Sequence, residues 1–372
     1  MGYKTLLFHN GDYHRQAPLR FDEIMKMPME QVTQIFSNSV HRRNTGVFCM
    51  TDTLAKNLDA EWISGGHNLK DSTADSVVTN SLHAISPTHF AGVYEYWMKL
   101  LDSTVNLVPL SCGFLYPPNG EVVLTRDLIH LLSAISERNE IGVRGEYAAE
   151  ILIRHGIRNV RIIGCPSLFY HNCRNFKVPL QTNSQSMKQI NFTFQTEVSP
   201  PKVFYQHHLG IFECFHKLHL SRDKIINWTL QWTPFRTITS LTTYKNFNET
   251  AEFLKGRGRY FFSVDDWIEN LRFDDFSIGT TIHGNVAAIN AQIPALPIVI
   301  DRRMEEICRW HKIPYIQVKD FDPSKPIEYY RELADYSEFN KVYVSTFDNY
   351  LDYCRKNKVA IKPLVEAVQQ RR

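Results

Sequence analysis

Apolar and polar positions along this chain follow two periods, and the period switches repeatedly. VFCMTDTLAKNL, after Asn44-Thr45-Gly46, has helical spacing, and Asn44 or Thr45 suits its cap. Ser76 to Asn80 predicts a short strand. Ala91 to Leu101 predicts a helix, and Asn106 to Cys112 a strand that Gly113 breaks. Leu128 to Arg138 is amphipathic at helical period. Glu140 to Val143 predicts a strand, Tyr147 to Arg154 a helix with Gly156 as its C-cap, and Val160 to Ile163 the next strand. The exits of those two strands are Arg144-Gly145-Glu146 and Gly164-Cys165-Pro166-Ser167. Residues 1–42 are mixed and basic-aromatic and carry no clear element.

Residues 174–188 are polar and read as a linker, after which the alternation restarts. Ile190 to Phe194, Ile226 to Thr229 and Tyr260 to Ser263 predict strands. Tyr205 to Leu220, Glu249 to Lys255, Asp265 to Leu271, Arg303 to Trp310 and Pro326 to Ala334 predict helices, with a helix or two over 339–371. Strands alternating with helices through short loops predict an α/β fold with doubly wound parallel sheets. The expected organisation is an N-terminal unit over 1–180, a second over 181–345, and a C-terminal helix over 346–372 that returns to the first unit.

The centre of the pattern is DFSIGTTIHGNVAAINAQIPALPIVID, from Asp275 to Asp301. Phe276 to Ile278 predicts a buried strand. Gly279 to Asn285 predicts a turn, Val286 to Ala291 a helix stopped by Pro294, and Leu296 to Ile300 the next strand. The turn would then sit at a strand's carboxyl end and a helix's amino end. Parallel α/β folds bind ligands there, and helix N–H groups favour anions there. His283 lies in the middle of it. By pattern alone this is equally a plain crossover with a solvated histidine.

Composition narrows the choices. The chain has 372 residues, 43% hydrophobic and 22% charged, as expected of a folded protein of two ordinary domains. Its 42 basic and 39 acidic residues give a net charge of +3, too balanced to argue for nucleic acid. The 7 cysteines are widely spaced and form no CxxC, which points to reduced thiols and no zinc site. The N-terminal stretch turns polar too soon for a signal peptide, and Leu6 stands where a myristoylation motif needs Ser or Thr. No apolar run approaches the ~20 residues of a membrane span. These features predict a cytoplasmic location. The Asn-x-Thr sequons at Asn191, Asn227 and Asn248 carry no weight without a secretory signal.

Familiar chemical motifs are absent. There is no GxGxxG after the first strand, no Walker loop, no HExxH and no GxSxG. Asp265-Asp266 and Asp274-Asp275 read as cap or surface residues. Three strand exits converge better: Arg144, His283 and Arg303. Two planar cations and a proton carrier near helix amino ends suit a small ligand with carboxylate and phosphate groups.

The runs IGVRGEYAAEILIRHGIRNVRIIGCPSLF (Ile141 to Phe169) and RYFFSVDDWIENLRFDDFSIGTTIHGNVAAINAQIPALPIVIDRRMEEI (Arg259 to Ile307) resemble the polysaccharide pyruvyltransferase family. Asn44-Thr45-Gly46 is similar to that family's N-terminal NTG element. The resemblance runs, with gaps, from about residue 44 to 315. It implies two Rossmann-like domains facing a cleft, similar to glycosyltransferase B enzymes. It implies transfer of pyruvate from phosphoenolpyruvate onto a sugar as a ketal, with no metal or organic cofactor required. The acceptor it implies is a surface polysaccharide or its lipid-linked precursor, which would bring the protein to the inner face of a membrane.

Residue by residue, the resemblance gives Arg144 to the donor and His283 to catalysis. Around these two, the strand exits, helix starts and matching motifs make Asn44, Gly46, Gly113, Glu146, Pro166, Ser167, Thr280, Thr281, Gly284, Asn285, Asp301 and Arg303 the expected substrate-binding residues. There is one departure. Many members carry Arg two residues before the histidine, as in TRIHGN, and here that position is Thr281. Another cation, Arg302 or Arg303, would have to serve, or the donor differs, or activity is lost. Two further readings therefore stay open: a glycosyltransferase using a nucleotide sugar, and an inactive saccharide-binding relative.

Overall fold

The computed structural model describes residues 3–8, 19–20, 26–28, 45–63, 72–80, 94–101, 104–115, 121–180, 187–193, 223–230, 257–261 and 263–368, with single positions between them. Asn44, the loop at 64–66, and the helices expected over 205–220 (save Ile211 and Leu218) and 249–255 lie outside the described residues.

In chain order the strands are β1 (Thr5–Phe8), β2 (Leu19–Arg20), β3 (Ala60–Ile63), β4 (Ser76–Thr79), β5 (Asn106–Pro109), β6 (Ile141–Val143), β7 (Val160–Ile162), β8 (Gln189–Thr193), β9 (Ile225–Leu230), β10 (Gly258–Tyr260), β11 (Phe276–Gly279), β12 (Ala295–Val299) and β13 (Ile316–Gln317). They form two parallel arrays. The first sheet has the order β3-β1-β4-β5. The β6-β7 pair continues it through a parallel bridge from Cys112 to Val143. The second sheet has the order β13-β12-β11-β8-β9-β10-β2, and every pair in it is parallel except β2 on β10. The α/β class with parallel sheets is the one the alternating pattern predicts.

Strand order fixes where a ligand would sit in the second sheet. From β8 the chain runs outward through β9 and β10, then returns to add β11, β12 and β13 on the other side of β8. The order therefore reverses between β8 and β11. Ligands in open parallel sheets gather at the carboxyl ends of such a pair. Those ends are Thr193 and Gly279, the latter leading straight to Thr281 and His283.

Alternation along the strands builds two cores. Leu7, Val78 and Val108 face a core shared with the second sheet and the C-terminal helix. Leu6, Phe8, Val77 and Leu107 face the Arg126–Arg138 and Glu146–Arg154 helices on the other side. Burial of a large apolar side chain contributes roughly 1.5–3 kcal/mol, so both faces hold the first sheet in place.

Several elements differ from the sequence expectation. β1 lies in the segment that gave no element, because four consecutive buried residues (TLLF) show no period. β3 was also missed. It is an edge strand with two exposed residues, so it lacks an apolar run. The C-terminus is one helix, Ser337–Lys356, followed by an extended segment in which Ile361 bridges Leu58. Tyr353 of that helix places its hydroxyl between β5 and β6. It accepts the Gly142 N–H at 3.0 Å and donates to the Pro109 carbonyl at 2.7 Å. Among the described residues no helix is long and apolar enough to cross a membrane.

Candidate active site

The helix carrying His283 begins earlier than the pattern predicts. It spans Ile282–Asn290, so His283, Gly284 and Asn285 belong to its first turn and not to a loop before it. Thr281 is its extended N-cap residue and gives no side-chain cap bond. Asn285 gathers the turn, its Nδ2 donating to the Gly279 carbonyl at 3.0 Å and the Thr281 carbonyl at 2.9 Å. This loop-like His-Gly-Asn stretch thus makes helix, because the Asn285 side chain binds the backbone of the strand exit.

Thr281 is buried, and its hydroxyl hydrogen-bonds the Thr193 hydroxyl at the end of β8. Gly284 sits on this pair. A Cβ there would collide with the Thr193 hydroxyl and lie 2.5 Å from that of Thr281. A Cβ at Gly279 would strike the Thr193 carbonyl. These glycines let β8, β11 and the helix meet at the switch point. His283 is 6% exposed in this setting.

Arg144 arrives from the other half. It follows β6, and its N–H donates to the Cys112 carbonyl at 3.1 Å. The side chain is 3% exposed. Its Nε donates to the carbonyl and the hydroxyl of Ser111, each at 3.2 Å, and Nη2 reaches Met50 Sδ at 3.4 Å. Ser111 has a φ of 62°, a left-handed conformation that turns carbonyl and hydroxyl to the same guanidinium. Burial is the largest influence on Arg144 and lowers its pKa. Cys165 raises it, Arg303 lowers it, and Glu306 and Asp301 raise it. These five groups therefore share one electrostatic neighbourhood.

Cys165 is the hinge of the constellation. Its Sγ lies 3.9 Å from His283 Nε2 and 2.9 Å from Ser167 Oγ. Its N–H donates to His311 Nε2 at 3.0 Å. That bond makes Nε2 an acceptor and leaves the ring proton on Nδ1, which has no partner among the described residues. Burial lowers the His311 pKa to about 3, so this imidazole stays neutral. Gly164 precedes with φ 74°, and a Cβ there would run into the His311 ring.

The remaining sequence candidates take different places. Asp301 caps the Arg302–His311 helix, accepting the Met304 N–H at 2.9 Å, and pairs with Arg303 at 2.8 Å. Arg303 is 30% exposed on its side chain. Pro166 and Ser167 form a buried 3-10 turn, with the Ser167 carbonyl accepting from Asn290 at 2.8 Å. Thr280 and Gly46 are buried. Gly113 is tied to the neighbouring loop through Leu82 and Ile85. Glu146 is exposed and 3.5 Å from Arg309, on the outer side of its helix. The structure thus gathers Arg144, Pro166, Ser167, Thr281, His283, Asp301 and Arg303 at the junction. It leaves Glu146 at the surface.

Sequence reasoning missed Ser111, Met50, Thr193, Glu306 and His311. His311 had a signal, since it continues the Met304, Ile307 and Cys308 stripe at helical spacing. Glu306 had none. It falls beside that stripe, and an acidic residue there reads as solvent-facing.

The sequence model of the family described as polysaccharide pyruvyl transferase matches residues 85–302. The chain belongs to the polysaccharide pyruvyl transferase family. It is a transferase of polysaccharide biosynthesis, and the matched span holds Arg144, Cys165, Thr281 and His283. Among solved structures, the chain is similar to MnaA of S. aureus bound to UDP, with 14% identity, a TM-score of 0.46, and coverage of 95% of this chain and 98% of that one. It is also similar to a UDP-N-acetylglucosamine 2-epimerase assigned in Listeria monocytogenes, with 12% identity, a TM-score of 0.43, and coverage of 97% and 92%. The UDP-GlcNAc 2-epimerase of Methanocaldococcus jannaschii aligns with 12% identity, a TM-score of 0.42, and coverage of 75% and 70%. Likeness at this level assigns no activity to the chain. No curated protein matches it.

Proposed function

We propose that this family member transfers the pyruvyl group of phosphoenolpyruvate to a sugar of a surface polysaccharide or its lipid-linked precursor, forming a ketal. The observation that carries the reading is the meeting of Arg144 from the first half with His283 from the second, through Cys165, inside the family's matched span. The protein acts in the cytoplasm, against the inner face of the membrane when the acceptor is lipid-linked.

The reaction needs an acid and an anion holder. A proton goes to the methylene carbon of the donor, and the central carbon becomes cation-like. One sugar hydroxyl attacks it, and its proton restores the acid. Phosphate leaves with the electrons of the broken C–O bond. The second hydroxyl closes the ketal, and its proton leaves with phosphate. A protonated His283 is suited to give the first proton, and Arg144 to hold the donor's carboxylate or phosphate. Arg303, turned toward the same neighbourhood and fixed by Asp301, supplies the second cation. Arg302 lies instead over the Tyr147 ring, at 5.4 Å, on the exposed side.

The test is phosphate release from phosphoenolpyruvate in the presence of a saccharide acceptor. His283→Ala and Arg144→Ala should each reduce turnover by at least ~100-fold, the usual scale for a lost general acid or charge-stabilising group, with the fold intact by circular dichroism. Turnover like wild type in either variant refutes the mechanism. A thermal-shift comparison of phosphoenolpyruvate with nucleotide sugars separates this reading from a glycosyltransferase, because a ligand that binds only the native state raises the melting point.

A further inference from the structure

Glu306 lies where the two halves meet, beyond the span that the family's sequence model covers. Its helix carries it inward, to 2% exposure. Oε2 accepts the Ala148 N–H at 3.0 Å. Ala148 is in the first turn of the Glu146–Arg154 helix, whose N-cap, Gly145, directly follows Arg144. A Cβ on Gly145 would stand 2.6 Å from Glu306 Cβ, so the approach requires glycine. Oε1 has no hydrogen-bond partner among the described residues. The charged and titratable groups facing the carboxyl are Arg144 after β6, the Cys112 thiol in the bridge beside it, and Asp301 and Arg303 at the start of its own helix. A carboxylate with a bare buried oxygen is costly, and the neutral acid less so. Burial, the largest influence, pushes the Glu306 pKa up to about 7. The Ala148 N–H and Arg144 pull it down, Asp301 pushes up, and Arg303 pulls down.

We propose that Glu306 is a positioning residue for the donor anion, which holds the Arg144 turn from the opposite half and, when ionised, competes with the donor for the charge of Arg144. This rests on the reading that Arg144 holds phosphoenolpyruvate. With Glu306 neutral, Arg144 turns its full charge to the donor. Once the carboxyl ionises, part of that charge is compensated internally. Donor affinity then falls as pH rises through neutrality, and donor binding draws a proton onto Glu306.

The test is calorimetric titration of wild type and Glu306→Gln with phosphoenolpyruvate at acidic and alkaline pH. Gln keeps the shape and an acceptor for the Ala148 N–H but cannot ionise. The donor phosphate itself titrates at about pH 6, so the readout is the wild-type to variant ratio of Kd. That ratio should be close to one at acidic pH and grow roughly tenfold at alkaline pH, the effect of about one pKa unit of coupling. A ratio that does not change with pH overturns the proposal. Wild type alone supplies a second measurement: in slightly alkaline buffers of differing ionisation heat, binding should take up a fraction of a proton. No uptake also overturns it, even if the variant does not fold. If wild type binds no phosphoenolpyruvate at either pH, the donor reading fails and takes this inference with it, a result distinct from binding without pH dependence.

Discussion

At the residue scale the informative position is Thr281. The family resemblance leads one to expect Arg there, and the surroundings of this residue fit a small hydroxyl side chain. The Thr193 hydroxyl bonds it and Gly284 closes over it. Thr281→Arg alone is therefore expected not to restore the family pattern. It should destabilise the protein by about 1–3 kcal/mol, the usual cost of overpacking a filled site. Denaturant midpoints check this, and an unchanged midpoint would show that the Thr193–Gly284 contact yields easily. The same packing gives Gly284 and Asn285 a structural part of their own. One lets the helix approach β8 and the other binds the strand-exit carbonyls. Both residues stood out in the sequence. Their function as packing elements did not, since it depends on Thr193, 88 residues from Thr281 in the chain.

At the element scale, two helix starts build the second half's side of the site. Ile282–Asn290 presents His283 in its first turn, and Arg302–His311 presents Arg303, Glu306 and His311 along its length. Asp301 links cap and cation, since one carboxylate oxygen takes the Met304 N–H and the other takes Arg303. Asp301→Ala should lower stability by about 1 kcal/mol through the lost cap. It should also weaken donor binding by releasing Arg303. Asp301→Asn, which keeps a cap acceptor but loses the charge, should recover most of the stability and little of the affinity. Melting curves and donor titrations on the two variants read these outcomes separately. If Asn recovers both, the Arg303 tether has no part in binding. The strand-to-helix alternation was readable in sequence because period and turn residues are local. The early start at Ile282 was not, since His-Gly-Asn looks like a loop until Asn285 is seen to bind backwards.

At the scale of the molecule, the junction carries two buried titratable groups of opposite effect. His311 is depressed to about 3 by burial, so the unfolded chain takes up its proton first. Stability from this group is fully present above the unfolded value of 6.5 and is lost as pH falls toward about 3. Glu306 is raised to about 7, so its contribution is present below the ordinary carboxyl range and lost as pH rises through 7. His311→Gln, which keeps an acceptor for the Cys165 N–H, should flatten the acid-side loss by several kcal/mol on the scale of ~1.4 kcal/mol per pKa unit. Urea midpoints across the acid range test this. A variant whose midpoint falls as steeply as that of wild type removes His311 from the acid response.

Most of the elements, and the α/β class, are legible in the local pattern of the chain, β1 and the edge strand β3 excepted. Local periodicity, cap residues and turn glycines need only near neighbours, and these predict parallel α/β units with Arg144, Cys165 and His283 at strand exits. The motifs were also enough to point to the family. Which exits meet depends on contacts between distant parts of the chain. The reversal of strand order between β8 and β11 sets Thr193 against Thr281 and Gly284. The seating of the Arg302–His311 helix against the Arg144 turn brings in Glu306. The physical reason is the same in both cases. Burial and charge proximity are properties of residues far apart in the chain, and an acidic residue beside an apolar stripe carries no local mark of the arginine it will face.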